Sequence, residues 1–379
     1  MNADLSKKKI FIWQWGRYGA GPRYAYELAH GLRGQGLDVL LSLSSNAEIM
    51  RTVPEREVDL PFPTYANFYD FTIKSIFLPR LLHELDHFIE ATRPGVAICA
   101  MPGIWDAFVA KRLQRHGIPV ITIVHDVKNH PGDLFIPVYW LQRSLIRKST
   151  GIITLTDFVA RELVKMRLLN GKFHSTISHI PFFFPDLKMA PPKLPGYPRR
   201  PVMRLLLAGR LQAYKGLELF ADALDHLSDK PIEVRVVGDG SGRALEKLAD
   251  NGKVDFRRGW CTEEDLVSHI DWADVIVAPY IEATQSGIVT LALDRWRPVI
   301  ATPVGGLPEQ VIHNVTGLVT DEISGASVAE SIETYLNNPD LYIYCFTNSR
   351  IRSRLKNGWK TISPQFTDLI GKLDAGHEA

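Results

Sequence analysis

Residues 205–220 read LLLAGRLQAYKGLELF, and the fold turns on this passage. A short apolar run ends at Ala208, Gly209 and Arg210 follow, and Lys215-Gly216 stand just before an amphipathic stretch. That is the order strand, turn, helix. Two cations beside one strand-to-helix turn can clamp a diphosphate, and the helix N-terminus adds its own positive end. An Arg and a Lys beside a turn also occur as plain solvated side chains.

The same alternation extends in both directions. Downstream, strands are expected at Val234–Val237, Val275–Val277 and Pro298–Ile300, after a first at Met203–Leu207. Upstream, Ile10–Trp13 is a strand followed by a Gly-rich turn and an amphipathic helix over Pro22–Leu32. Further strands fall at Leu37–Leu43, Val96–Ala100, Val120–Val124 and Ile152–Leu155. Alternating strands and helices imply parallel sheets with both faces covered, wound with right-handed crossovers. The pattern breaks at FPDLKMAPPKLPGYPRRP (184–201), which holds prolines at 185, 191, 192, 195, 198 and 201. Proline cannot donate to a ladder and ends helices, so this stretch reads as a semi-rigid linker. The expected fold class is α/β with two doubly wound, Rossmann-like domains. Residues 1–184 form the first, 185–201 the linker and 202–340 the second. Residues 341–379 are C-terminal helices expected to pack back on the first domain. Ligands in such sheets bind beyond the carboxyl ends of the strands, so both domains are expected to turn their loops to a central cleft.

Composition narrows the class. The chain has 379 residues, 44 Lys+Arg against 42 Asp+Glu, and a net charge of +2, which excludes a nucleic-acid-scale basic charge. Cys99, Cys261 and Cys345 are odd in number and far apart. They offer neither a disulfide framework nor a zinc site, and they fit a reducing cytoplasm. No apolar run approaches the ~18 residues of a membrane span. The N-terminus reads as a first strand rather than a signal peptide.

A second loop stands out in VAPYIEATQSGIVTLALDRWRPVIATPVGG (277–306). A strand ends near Tyr280. Thr284, Gln285, Ser286 and Gly287 then cap an apolar helix expected to run to about Trp296. Amides at Gly287, Ile288 and Val289 are expected to suit an anion. Read alone, this is also ordinary N-capping. The next strand ends in the turn Gly305-Gly306, with Glu309 opening another helix.

Together, GRLQAYKG (209–216), VVGDG (236–240), TQSGIVTLAL (284–293) and PVIATPVGGLPEQVIHNVTGLV (298–319) resemble the donor-binding half of the GT-B glycosyltransferases, specifically retaining family 4. The resemblance implies that Arg210 and Lys215, with Gly209 and Gly216 around them, hold the diphosphate of a UDP- or GDP-linked sugar. It implies that residues 284–289 touch sugar and phosphate, and that Trp260 and Cys261 flank the base. The family usually carries two glutamates in this loop and helix; at those positions stand Thr284 and Ala292. Gln285 and Ser286 are expected to replace the sugar-side contact, as in a Q-S-G variant of the family.

In the first half, GRYGAGPRYAYELAHGL (16–32) resembles the family's acceptor-side loop, with Gly16, Gly19 and Gly21 permitting a tight turn. A dinucleotide fingerprint would want an acid at the end of the next strand, and that strand ends Leu41-Ser42-Leu43-Ser44. VITIVHDVKNHPGD (120–133) ends a strand at Val124 and places His125-Asp126 beyond it. A lone His is more often structural, but the H-D pair matches the family, in which the His contacts the donor sugar. His130 is a second candidate, for the acceptor. Neither a metal nor a cofactor is expected: helix amides, Arg210 and Lys215 would stabilise the leaving diphosphate.

The expected partners are a nucleotide sugar and a saccharide or lipid-linked saccharide acceptor, in bacterial polysaccharide or glycolipid assembly. An anionic membrane surface is a further candidate, which would make the protein peripheral on the inner face of the plasma membrane. It is motivated by the aromatic and basic stretches 64–82 and 134–149, the latter with Tyr139, Trp140, Arg143, Arg147 and Lys148. A third basic run lies in 341–367, with Arg350, Arg352, Arg354, Lys356 and Lys360. The alternatives are a catalytically silent GT-B subunit that binds a partner, motivated by the absent glutamates, and a sugar-nucleotide epimerase.

Overall fold

The computed structural model describes residues 8–127, 136–355 and 358–375. The chain forms two compact units. The first takes its described residues from 8–127, 136–188 and 358–375, and the second from 189–355.

The first unit is built on a seven-stranded sheet. Its strands are β1 (Ile10–Gln14), β2 (Val39–Ser44), β3 (Leu60–Phe62), β4 (Val96–Cys99), β5 (Val120–Val124), β6 (Gly151–Thr154) and β7 (Phe173–Thr176). They pair in parallel in the order β3-β2-β1-β4-β5-β6-β7. Around it lie α1 (Ala20–Gly34), α2 (Phe68–Ile76), α3 (Leu78–Thr92), α4 (Asp106–Arg115), α5 (Ile136–Lys148) and α6 (Asp157–Lys165). β1 reads IFIWQ and is buried along its whole length. Ile10 and Ile12 enter one core while Phe11 and Trp13 enter the other, the period-2 signature of a sheet covered on both faces.

The second unit repeats the plan with six parallel strands. These are β8 (Met203–Ala208), β9 (Ile232–Gly238), β10 (Val254–Arg258), β11 (Val275–Ala278), β12 (Val299–Ala301) and β13 (Gly317–Val319), in the order β10-β9-β8-β11-β12-β13. Its helices are α7 (Leu217–His226), α8 (Arg243–Ala249), α9 (Glu263–Trp272), α10 (Gly287–Asp294), α11 (Leu307–Gln310), α12 (Gly325–Asn337) and α13 (Pro339–Leu355). In each sheet the strand order reverses once, between β1 and β4 and between β8 and β11. The loops leaving those strands are where doubly wound sheets take their ligands.

The C-terminal segment corrects one expectation. Residues 341–379 do not go together to the first unit. In α13, Tyr342 and Cys345 are buried with Met203 and Leu205, and the Tyr342 hydroxyl donates to the Asp274 carbonyl oxygen at 3.2 Å. Only α14 (Trp359–Ala375) joins the first unit. Ile362, Phe366, Leu369, Ile370 and Leu373 recur at helical spacing and are buried with Ile10, Ile12 and Leu28. Trp359 lies over Gly31, where a Cβ would come within 1.8 Å of the indole.

The proline-rich stretch is anchored at both ends. Asp186 accepts two bonds from the Arg23 guanidinium, at 2.5 and 3.0 Å, and one from the Thr52 hydroxyl at 2.6 Å. Buried Glu27 accepts the Phe184 amide at 2.7 Å, and desolvation pushes its carboxyl up to about 8. At the other end, Asp274 accepts the Gly196 and Tyr197 amides and pairs with Arg200.

Candidate functional site

In the second unit the loops after β8 and β11 meet at the switch point. The β8 loop turns through Gly216, whose φ is 69° and whose Cβ, if it had one, would lie 1.6 Å from the Pro279 carbonyl oxygen. Only glycine allows both the conformation and that approach. The contact presses the start of α7 against the end of β11 and carries Lys215 inward.

Lys215 is 6% exposed. Its ammonium donates to the Tyr280 hydroxyl at 2.6 Å and sits 4.0 Å from the centroid of the same ring. Burial lowers its pKa to about 8, with Tyr214 opposing that shift and Arg210 adding to it. The Gly209 position is close by: a Cβ there would lie 3.6 Å from the Lys215 Nζ and 3.5 Å from Ile288. The β8 turn, the ammonium and the start of α10 therefore share one small volume. Arg210 is exposed on the same turn.

Ser286 is the N-cap of α10, and its Oγ accepts the Val289 amide at 3.3 Å. This differs from the expected three open amides. Val289 is buried and its N–H serves the cap, which leaves Gly287 and Ile288 as the first-turn amides without intrahelical acceptors. Thr284 is buried and Ala292 lies in the core, so neither of the positions where carboxylates were missed faces solvent. Gln285 has a buried Oε1 with no hydrogen-bond partner among the described residues. The β12 loop is tied in by the Thr302 hydroxyl, which donates to the Tyr280 carbonyl oxygen at 2.5 Å. Glu309 is half-buried in the first turn of α11. Trp260 and Cys261 follow β10, the edge strand on the β9 side. Trp260 is 59% exposed, and burial pushes the Cys261 thiol up to about 11.

The Tyr280 hydroxyl stands 3.2 Å from the Ser286 Oγ. Its own pKa is pushed up to about 12 by burial, against the Ser286 hydrogen bond, so it is a neutral phenol that both accepts and donates. Sequence reading missed Tyr280, because a tyrosine ending an apolar strand looks like core. It missed Gln310 for a different reason. The Gln310 side chain accepts the Ser286 amide at 2.7 Å and donates to the Ser286 carbonyl at 3.1 Å and the Thr290 hydroxyl at 3.0 Å, across 24 and 20 residues of sequence.

In the first unit, Gly16–Gly21 leave β1 over the Gln14 side chain, whose Oε1 accepts the Gly16 amide at 2.9 Å. A Cβ at Gly21 would lie 2.7 Å from the Gln14 Nε2. Gly19 has φ 79° and stands at the start of α1. His125 follows β5, as expected, but it is only 2% exposed. Its Nε2 lies 2.8 Å from the Ala100 carbonyl oxygen. A carbonyl only accepts, so Nε2 carries the proton and Nδ1 presents a lone pair. That Nδ1 is buried and has no partner among the described residues. Burial lowers the His125 pKa, outweighing the Ala100 hydrogen bond and the nearby Asp126, so the ring is neutral. The Tyr24 ring meets it edge-on at 4.7 Å. Asp126 is half-buried, and its carbonyl accepts the Gln142 side chain at 2.6 Å. His130 lies outside the described residues.

The expected basic and aromatic surfaces divide. Trp140 and Arg147 are exposed on α5, Arg143 is half-buried, and Lys148 donates to the Ser144 hydroxyl at 2.6 Å. The side chain of Tyr139 lies outside the described residues. On α2, Tyr69, Ile73 and Ile76 are exposed along one face that continues into exposed Phe77. In the run at 350–360, among the described residues, Arg350 stacks on Trp296 at 4.8 Å, Arg352 is half-buried and Lys360 is exposed. The Arg354 side chain and Lys356 lie outside the described residues. Among the described residues, no helix is long and apolar enough to cross a membrane.

Two family models match this chain. "Glycosyl transferases group 1" matches residues 203–338 and "Glycosyl transferase 4-like domain" matches residues 19–174. Among curated proteins, an alpha-D-kanosaminyltransferase of Streptomyces kanamyceticus is 26% identical over 246 residues, 59% of this chain and 63% of that one. A GDP-mannose:glycolipid 4-beta-D-mannosyltransferase of Xanthomonas campestris pv. campestris is 25% identical over 205 residues, 52% of this chain and 53% of that one. The matched stretches thus span less than two thirds of either relative. Among solved structures, sucrose-phosphate synthase from Thermosynechococcus elongatus superposes with a TM-score of 0.75 at 16% identity, covering 98% of this chain and 100% of that one. That likeness is one of fold.

Proposed function

The chain belongs to the group 1, family 4-like glycosyltransferases, and from that membership we propose that it moves a sugar from a UDP- or GDP-linked donor to a hydroxyl acceptor. The observation that carries the donor reading is the buried Lys215 ammonium beside the Gly209 turn and the start of α10. Among the described residues Lys215 has no carboxylate partner; a buried cation in that position is costly, and a bound diphosphate would compensate it. Arg210, on the same turn, adds a second cation. The Gly287 and Ile288 amides add the positive end of a helix.

In the proposed reaction the acceptor oxygen bonds to the anomeric carbon as the carbon–phosphate-oxygen bond breaks. The acceptor proton passes to the departing diphosphate. Lys215, Arg210 and the helix amides stabilise the charge that develops on that leaving group. They take the place of a divalent cation, so the proposed enzyme is metal-independent. His125, neutral and with Nδ1 as an acceptor, is assigned to a sugar hydroxyl. Retention of configuration is the outcome the family 4 resemblance implies, and the anomeric proton of the product reads it by NMR. Incubation with a panel of UDP- and GDP-sugars and a saccharide acceptor is expected to release nucleoside diphosphate at the same rate with and without EDTA. Loss of activity in EDTA, restored by Mn²⁺, would overturn the metal-free reading. No release from any donor of the panel would favour the silent-subunit alternative.

For the acceptor we propose a lipid-linked saccharide, which supports a role in glycolipid or polysaccharide assembly at a membrane surface. The glycolipid acceptor in the name of the Xanthomonas relative supports this, as does the exposed apolar face of α2. Tyr69, Ile73, Ile76 and Phe77 form the kind of stripe that lies in a bilayer interface. Ile76→Asp with Phe77→Asp is expected to abolish sedimentation with vesicles containing anionic phospholipid and to leave donor hydrolysis unchanged. Equal sedimentation of wild type and variant would remove α2 from the proposal.

A further inference from the structure

We propose that Tyr280, Ser286 and Gln310 form a positioning chain that sets the Lys215 ammonium and the 284–289 loop for a nucleoside diphosphate. The inference rests on the donor reading above and adds to it the three side chains that act through Lys215.

Each link is a hydrogen bond within the second unit. The Lys215 Nζ donates to the Tyr280 Oη at 2.6 Å. The phenol then has one proton to give, and the Ser286 Oγ stands 3.2 Å away to receive it. Ser286 is held in turn by Gln310, which takes its amide at 2.7 Å and gives to its carbonyl at 3.1 Å. A bond from Gln310 to the Thr290 hydroxyl at 3.0 Å fixes the same amide against the next turn of α10. With the ammonium donating to the phenol, the phenol proton is free to go to the serine, and a carboxamide serves the serine because it can both accept and donate. A carboxylate at 310 could take the Ser286 amide but could not give to its carbonyl.

The arrangement also explains why a buried ammonium keeps its proton. Among the described residues, the charged and titratable groups acting on it are Tyr280, Tyr214 and Arg210. Arg210 and burial both disfavour the charge. Accepting the ammonium proton is the favourable contact that Tyr280 supplies, and a hydrogen bond to the charged form favours that form. Tyr280 can do so while its own proton is directed away from the ammonium, and Ser286, held in place through Gln310, stands where that proton can go.

The test measures UDP, GDP and ADP affinity by calorimetry from pH 6.5 to 9.5. Tyr280→Phe keeps the ring over the ammonium and removes the oxygen. It is expected to weaken binding about tenfold at pH 7, the scale of one hydrogen bond to a charged group, and to move the pH at which affinity falls below that of wild type. Gln310→Leu is expected to shift the same midpoint in the same direction by less, and Gln310→Glu to fall between it and wild type. Thr290→Val, isosteric and removing only the bonds of the Thr290 hydroxyl to Gln310 and to the Ser286 carbonyl, serves where Gln310→Leu does not fold. A lowered melting temperature in the 310 and 290 variants, with wild-type affinity and pH midpoint, would reduce Gln310 to a structural brace and overturn the chain. A wild-type pH midpoint in Tyr280→Phe would do the same. Wild-type protein that binds none of the three diphosphates would instead remove the donor reading on which the chain rests.

Discussion

Lys215→Met is expected to weaken nucleoside-diphosphate binding by about 10- to 100-fold at pH 7, the scale of a charge-assisted contact to phosphate, and at the same time to raise the melting temperature. Both effects come from one cause. Burial lowers the Lys215 pKa to about 8, so between pH 8 and the ordinary lysine value the folded protein binds fewer protons than the unfolded chain. Stability therefore rises with pH across that window, and below pH 8 the full penalty of a buried charge is present. A methionine of similar length removes the penalty and the phosphate contact together. In the wild type, diphosphate affinity is expected to be flat below pH 8 and to fall as the free ammonium loses its proton above it. Arg210→Ala is expected to weaken binding without raising stability, because Arg210 is exposed. Calorimetry at pH 7 and 9, paired with thermal melts, checks all three. A Lys215→Met protein that binds UDP and GDP like wild type would falsify the donor-site assignment.

His125→Ala is expected to lower turnover on the order of 100-fold or more, the scale of one group acting on the reacting sugar, with nucleoside-diphosphate affinity close to wild type. His125 belongs to the first unit, whereas every residue assigned to the diphosphate belongs to the second. Its neutral ring offers a lone pair and no charge, so its loss should appear in kcat rather than in binding of the free nucleotide. Because burial lowers its pKa, any acid limb in the rate that belongs to His125 should lie below 6.5. Single-turnover rates and UDP or GDP titrations on the variant separate the two quantities. A variant that keeps its rate and loses nucleotide affinity would place His125 in another role.

The strands legible in the sequence and those that were not divide along a physical line. β1, β2, β4, β5, β6, β8, β9, β11 and β12 all show as apolar runs, because interior strands of a parallel sheet are covered on both faces. The four that did not show are β3, β7, β10 and β13, the outer strands of the two sheets. β3 is three residues with Pro61 inside it, β7 reads FHST and β10 reads VDFRR. Such strands are short, half-polar and proline-tolerant, so hydrophobic patterning is blind to them. The site divides in a similar way. Lys215, Ser286 and His125 sit at punctuated ends of strands and helices, where glycine and capping residues announce them. Gln310 acts across 24 residues, and no local pattern encodes that distance.

The division of the C-terminal helices bears on the order in which the protein takes shape during translation. The first unit's core contains Phe366, Leu369 and Leu373, which a ribosome adds only after the whole of the second unit has been made. Nascent domains ordinarily close in the order of synthesis. Here the earlier unit must wait with the surface of α1 and β7 that α14 covers still open, while the later one can already assemble. During that interval the waiting face is a surface for chaperones. Any stop codon between the two units leaves it permanently open, so a fragment ending in the proline-rich stretch is a poor choice for expressing the first unit alone.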